Sequence, residues 1–142
     1  MMIDALSLFQ LLIDFGLVVL ILMVQLTIYP SFLYYKTEDL VRWHQKYTGA
    51  IAMVVGPLML AQLLLSIYVV FVNQQYLLGG IHLILVLATW IATAIQFVPI
   101  HNRIGKSEHT NKDLQKLVHH NWIRVILWIL ILLLGLFQNY LA

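Results

Sequence analysis

Two groups of polar side chains in this otherwise apolar chain have types and spacings that could support chemistry. The first is a pair set deep in apolar sequence, Asp14 and His82. A carboxylate in hydrocarbon is costly unless it is neutralised or paired. Both residues are expected about a third of the way in or less from the same end of their helices, with Gln62 and Ser66 at a similar level. An Asp14–His82 pair there is either a structural ion pair, with Asp14 protonated as a variant, or a proton or ligand site. The second group is Tyr29, His44, Gln96, His101, Asn102, His119, His120, Asn121 and Arg124, which gathers at the other end of the apolar segments.

Four histidines at one level raise the question of a metal or haem, since imidazole suits Zn, Cu and Fe. The spacing argues against a metal centre. No two histidines stand at i, i+4, and there is no His-Glu-x-x-His. His119 and His120 are adjacent and so point roughly 100° apart on a helix. No cofactor is expected from these residues. Haem or copper held between histidines of different helices is the alternative reading.

These side chains must be positioned by elements that live in lipid. The chain of 142 residues is 62% hydrophobic and 10% charged, against about a quarter charged in soluble domains. Four stretches reach the ~20 apolar residues that a bilayer crossing needs: roughly 6–29, 47–72, 78–98 and 122–141. Helices are expected, because backbone groups in lipid must be satisfied within the segment. The fold class is therefore all-α, a polytopic membrane protein built as one antiparallel four-helix transmembrane bundle covering residues 1–142.

Every Lys and Arg lies in two loops: Lys36, Arg42 and Lys46 between spans one and two, and Arg103, Lys106, Lys112, Lys116 and Arg124 between spans three and four. The opposite loop and both ends of the chain lack them. The positive-inside rule then places both basic loops in the cytoplasm and both termini outside. The charge bias and the apparent absence of a targeting segment suit a bacterial inner membrane, with the first span retained. The loops are too sparsely charged for nucleic acid, so the expected partners are the lipid bilayer and a hydrophobic small molecule; the oligomeric state is not legible. With no cysteine, disulfides and thiolate ligands are excluded. Nucleophilic triads, phosphate-binding glycine loops and paired carboxylates are lacking.

Local signals refine this plan. Pro30 in "YPSF" is expected to end span one and Pro99 to end span three, since proline lacks an amide donor. Thr37 is expected to cap the second helix, with Glu38 and Asp39 in its first turn. Pro57 is expected to kink that helix. Thr110 with Asp113 three residues on marks the start of the fourth. At about 100° per residue, Gln10, Asp14, Gln25 and Tyr29 share one face of the first helix. His44, Thr48, Gln62, Ser66 and Asn73 share one face of the second, and His82, Thr89, Thr93 and Gln96 one face of the third. Such stripes turn toward neighbouring helices rather than toward lipid.

"VPIHNRIG", followed after the basic loop by "LVHHNWIRVILW", resembles the small four-span membrane proteins grouped with the fungal anthrone oxygenases, a family largely of unknown function. In that family the third span leaves as Pro-x-Asn-Asn or a close variant, and the fourth enters through a Trp or His and Asn region before an Arg. Pro99, Asn102, Asn121, Trp122 and Arg124 match. "YPSF" and "RWHQKYTGAIAMVVGPLML", carrying Tyr29, Pro30, His44, Tyr47 and Pro57, look like its bacterial branch. His101 departs from the pattern, which has Asn or Thr there. The resemblance implies a flat phenolic or quinone-like ligand, oxidised by dioxygen without metal or flavin if the protein is an enzyme. It implies His44 or His101 as the base, and Asn102, Asn121 and Arg124 as donors around the developing anion. Tyr29, Gln96 and Trp122 complete the ligand-binding candidates.

Overall fold

Unbroken runs of apolar residues with a single polar stripe each have one low-energy arrangement in lipid, a bundle with the stripes facing inward. The computed structural model, which describes residues 4–74 and 76–141, has this arrangement. Four helices are long and apolar enough to cross a bilayer: α1 Ala5–Tyr34, α2 Thr37–Phe71, α3 Leu78–Gly105 and α4 Asn111–Leu141. No strand occurs among the described residues. Each helix packs on its neighbours in sequence and α4 closes against α1, which makes an up-down-up-down transmembrane bundle. One face of the bundle carries the start of α1, the end of α4 and the α2–α3 turn, and is called the terminal face here. The other carries the α1–α2 and α3–α4 turns with the lysines and arginines, and is called the basic face.

The polar stripes do turn inward. Gln10, Asp14, Gln25, His44, Gln62, Ser66, His82 and Thr89 are buried, whereas Leu12, Phe15, Leu26, Met53, Leu64, Ile84, Ile95 and Leu133 stay exposed on the outer surface. Asn73 is the exception to its stripe: α2 ends at Phe71, and Asn73 stands exposed beyond it.

Two expected helix ends do not occur, and both corrections involve proline. Neither Pro30 nor Pro99 stops its helix. Each is preceded by one wide π-helical turn, Val24–Ile28 in α1 and Thr93–Phe97 in α3. There the amide of Tyr29 bonds to the carbonyl of Val24, and that of Val98 to Thr93. A proline in a regular α-helix drives its ring into the carbonyl four residues back; a wide turn relieves that clash and lets the helix run on. α1 therefore continues to Tyr34 and α3 to Gly105, carrying Tyr29 and His101 on ordered helix. Pro57 lies inside α2 without such a turn.

The caps also differ in one place. Lys36, not Thr37, occupies the extended position before α2, and it makes no side-chain cap; Glu38 and Asp39 are in the first turn as expected. Asp4 caps α1 by accepting from the Ser7 amide at 2.9 Å and the Ser7 hydroxyl at 2.8 Å. These bonds favour its ionised form and hold its carboxyl below the usual range. At α4 the Thr110 amide donates to Asp113 Oδ2 at 2.9 Å and the Asp113 amide donates back to Thr110 Oγ1 at 3.3 Å. Arg103 reaches Asp113 Oδ1 at 3.2 Å and ties the end of α3 to the start of α4.

Candidate functional site

A cavity of about 340 Å³ lies in the half of the bundle nearer the basic face. Its floor is apolar, formed by Leu17, Ile21 and Val24 of α1, Met59 of α2, and Trp128 of α4. Ala52 and Gly56 of α2 and Trp90, Val98 and Asn102 of α3 line it while remaining exposed on the bundle's outer surface. The mouth therefore opens sideways between α2 and α3, at the depth of the apolar spans. Two small residues at i, i+4 on α2 leave the gap. Volume, apolar lining and a few converging polar groups are the general features of small-molecule sites.

The polar groups sit at the end nearer the basic face. Tyr29, His101, Asn102 and Arg124 all line the cavity. The Tyr29 hydroxyl is 3.1 Å from His101 Nε2, and His101 Nδ1 is 2.7 Å from His44 Nε2. The three side chains form one hydrogen-bonded chain from the cavity wall into the α2 side of the bundle. Its hydrogens can be arranged in two ways. Either Tyr29 donates to His101 and His101 to His44, or His44 donates to His101 and His101 to Tyr29. The second leaves the Tyr29 hydrogen free to donate into the cavity. Phe32, fully buried, holds His44 edge-on at 6.0 Å and Tyr47 at 5.8 Å.

Arg124 is the charged group of this wall. It is 8% exposed, and its guanidinium stands 4.1 Å over the Phe97 ring and 5.6 Å from that of Trp128. The two ion pairs among the described residues join His82 to Asp14 and Arg103 to Asp113; neither involves Arg124. Its Nε is buried without a hydrogen-bond partner. Aromatic faces offset part of the cost of burying a cation, but they leave its N–H donors aimed at no anion. A cation lining a cavity without a counter-charge suits an occupant bearing an anionic or strongly polar oxygen.

The other residues singled out from sequence lie elsewhere. Asn121 is buried and donates to Gln25 Oε1 at 2.9 Å, while Gln25 Nε2 donates to the Val118 carbonyl at 3.1 Å. This amide clamp joins α1 to α4, each bond worth roughly 0.6–2 kcal/mol. Trp122 is exposed on the bundle surface, and Gln96 lies within the α3 wide turn with its Oε1 buried and unpartnered. Neither lines the cavity. His119 and His120 are exposed, beside Lys112 and Lys116 on the first turns of α4. Among the described residues no three His, Cys, Asp or Glu side chains converge as a metal ion would require.

Asp14 and His82 do meet, at 3.2 Å, 0% and 1% exposed. All four helices contribute around them: Gln10, Gln62, Ser66 and Trp128 complete one buried network. The cavity floor and this network share Trp128. Sequence reasoning missed the bond from Trp128 to Gln62, the Gln25–Asn121 clamp and the role of Ala52 and Gly56. Of these, the polar stripe on α1 contained the signal only for Gln25.

No family model, curated protein or solved structure matches the chain, so the reading of this site rests on its own residues.

Proposed function

We propose that the protein binds a flat hydrophobic molecule with an acidic oxygen, of the phenolic or hydroxyquinone class, which enters from the lipid between α2 and α3. The observation that carries this reading is Arg124, a buried cation with no carboxylate partner among the described residues, in the wall of an apolar cavity open at membrane depth. The ligand's ring lies against Leu17, Ile21, Met59 and Trp128, and its oxygen faces Arg124 and the Tyr29 hydroxyl. Arg124 stabilises the anion. The ligand's proton passes to Tyr29 oxygen as Tyr29 releases its own to His101 Nε2, and His101 passes the hydrogen on its Nδ1 to His44 Nε2. Oxidation of the bound ligand by dioxygen is the further step that the anthrone oxygenase resemblance implies, and oxygen uptake in the presence of anthrone tests it.

Binding is measured by titrating purified protein in lipid nanodiscs with 2-hydroxy-1,4-naphthoquinone and following tryptophan fluorescence, since Trp90 and Trp128 line the cavity. Saturable quenching is expected. In Gly56→Leu the new side chain stands at the mouth, and a Cβ there meets nothing within 4 Å. The variant should fold normally yet bind roughly tenfold more weakly, about 1.4 kcal/mol. Quenching that is not saturable, or is unchanged in Gly56→Leu, argues against this cavity as the site.

The basic loops lie on the cytoplasmic side of a bacterial inner membrane in this reading, because lysines and arginines are retained there. A phosphatase reporter active only outside the cytoplasm should be active when fused after Ala142, and green fluorescent protein fused there should be dark. The opposite pair of results would reverse the orientation.

A further inference from the structure

The second polar centre lies nearer the terminal face and shares only Trp128 with the cavity. Its hydrogens can be located by following donors and acceptors around the network. Trp128 Nε1 can only donate, and it meets Gln62 Oε1 at 3.3 Å. That contact fixes the Gln62 amide, whose nitrogen then donates to Asp14 Oδ1 at 2.7 Å. Oδ1 is therefore an acceptor and carries no hydrogen. Ser66 has a single hydroxyl hydrogen, given to the Gln62 carbonyl at 2.7 Å. At its 3.0 Å contact with His82, Ser66 must accept, so His82 Nδ1 bears a hydrogen.

Two contacts remain, both at His82 Nε2, and the one to a titratable group is Asp14 Oδ2 at 3.2 Å. Without a hydrogen on either atom, a nitrogen lone pair would face a bare carboxylate with no solvent exposure. One proton between them makes the contact a hydrogen bond, whether it rests on nitrogen as an ion pair or on oxygen as a neutral pair. Gln10, with its amide nitrogen 3.0 Å from Nε2, presents nitrogen or oxygen to suit. Among the described residues, the groups facing this couple from α2 and α4 (Gln62, Ser66, Trp128 and Gly135) carry no titratable side chain. No second acid or base competes for the proton.

The site also has a route to water. A small polar vestibule of about 70 Å³ opens at the terminal face, lined by Asp4, Ser7, Gln10, Asn73, Gln138 and Asn139. It has room for a few water molecules. Gln138 Nε2, buried without a partner, is a donor such water would satisfy, and Gln10 spans from the vestibule to His82. We infer that Asp14 and His82 form a one-proton binding site, loaded from the terminal face by water in this vestibule, which Gln10 holds beside His82.

Nitrogen-15 NMR of histidine-labelled protein in nanodiscs tests the inference. The chain has six histidines, so His82 is assigned by its absence in His82→Gln. Should that variant not fold, single replacements of the other five leave His82 by elimination. The expected spectrum has a protonated Nδ1 and an Nε2 that is either protonated or in a strong hydrogen bond from oxygen. In Gln10→Met the same resonances should persist, while exchange of the shared proton with solvent slows at least tenfold. An Nε2 with the shift of a free lone pair, or an unprotonated Nδ1, would overturn the shared proton. Exchange unaltered in Gln10→Met would overturn the route.

Discussion

Arg124→Met should lower affinity for the 2-hydroxy-1,4-naphthoquinone anion by roughly 10- to 100-fold, while changing that for unsubstituted naphthoquinone less than threefold. The magnitude follows from the hydrogen bonds a charged donor makes, about 1.5–3 kcal/mol each when lost, with 1.4 kcal/mol per tenfold. The difference between the two ligands separates charge recognition from packing. Methionine keeps an unbranched stem against Phe97, over which the guanidinium now stands at 4.1 Å, so the apolar wall stays filled. Arg124→Lys should fall between, because lysine keeps the charge and loses the planar fork. Equal weakening of both ligands would mean that Arg124 only shapes the wall. No weakening of either would remove it from the site.

Arg124 also marks where the sequence stops being legible. Its charge pointed to the basic face, but its isolation is a property of tertiary packing: the carboxylate on its own helix, Asp113 in the first turn, lies about three turns away and is engaged by Arg103. The spans were legible because length and hydropathy alone decide them, and the inward stripes because an α-helix repeats every 3.6 residues. The same regularity hid His101. Counted at 100° per residue from His82, it falls roughly 100° off the inward face that Thr89 and Thr93 share. The wide turn at Thr93–Phe97 inserts one residue into the helix and turns His101 back by about that amount, into bonds with Tyr29 and His44. The turn at Val24–Ile28 stands before Tyr29 in the same way, though Tyr29 already fell on the inward face by that count. Both turns lie just before a proline, so the proline read as a helix end is instead what phases the site, consistent with the frequent placement of π-turns at functional positions. Ala52 and Gly56 were silent for a different reason. A gap is made by what small residues leave out, and only the neighbouring helix shows that nothing fills it.

The largest effect on stability is expected at His82. His82→Leu strands Asp14 in the bundle with one hydrogen bond, from Gln62, and removing one partner of a buried charged pair costs about 3–5 kcal/mol. Uptake of a proton by the stranded carboxyl would reduce that figure, since a buried acid can neutralise rather than stay charged. The cost should therefore be conditional on the carboxyl itself. Adding Asp14→Asn to His82→Leu removes the stranded acid and keeps an amide of nearly the same size, so the double variant should be more stable than the single by at least about 1 kcal/mol. A coupling of this sign is expected only between residues that share an interaction. Ordinary interhelical hydrogen bonds in a membrane average about 0.6 kcal/mol, well below either value, so reversible unfolding in mixed detergent can distinguish the cases. A His82→Leu cost near 0.6 kcal/mol, with additive effects in the double variant, would reduce Asp14 and His82 to one more polar contact between helices. A stability partly restored by the second substitution would mean that Asp14 and His82 act as one coupled pair around which the bundle is organised.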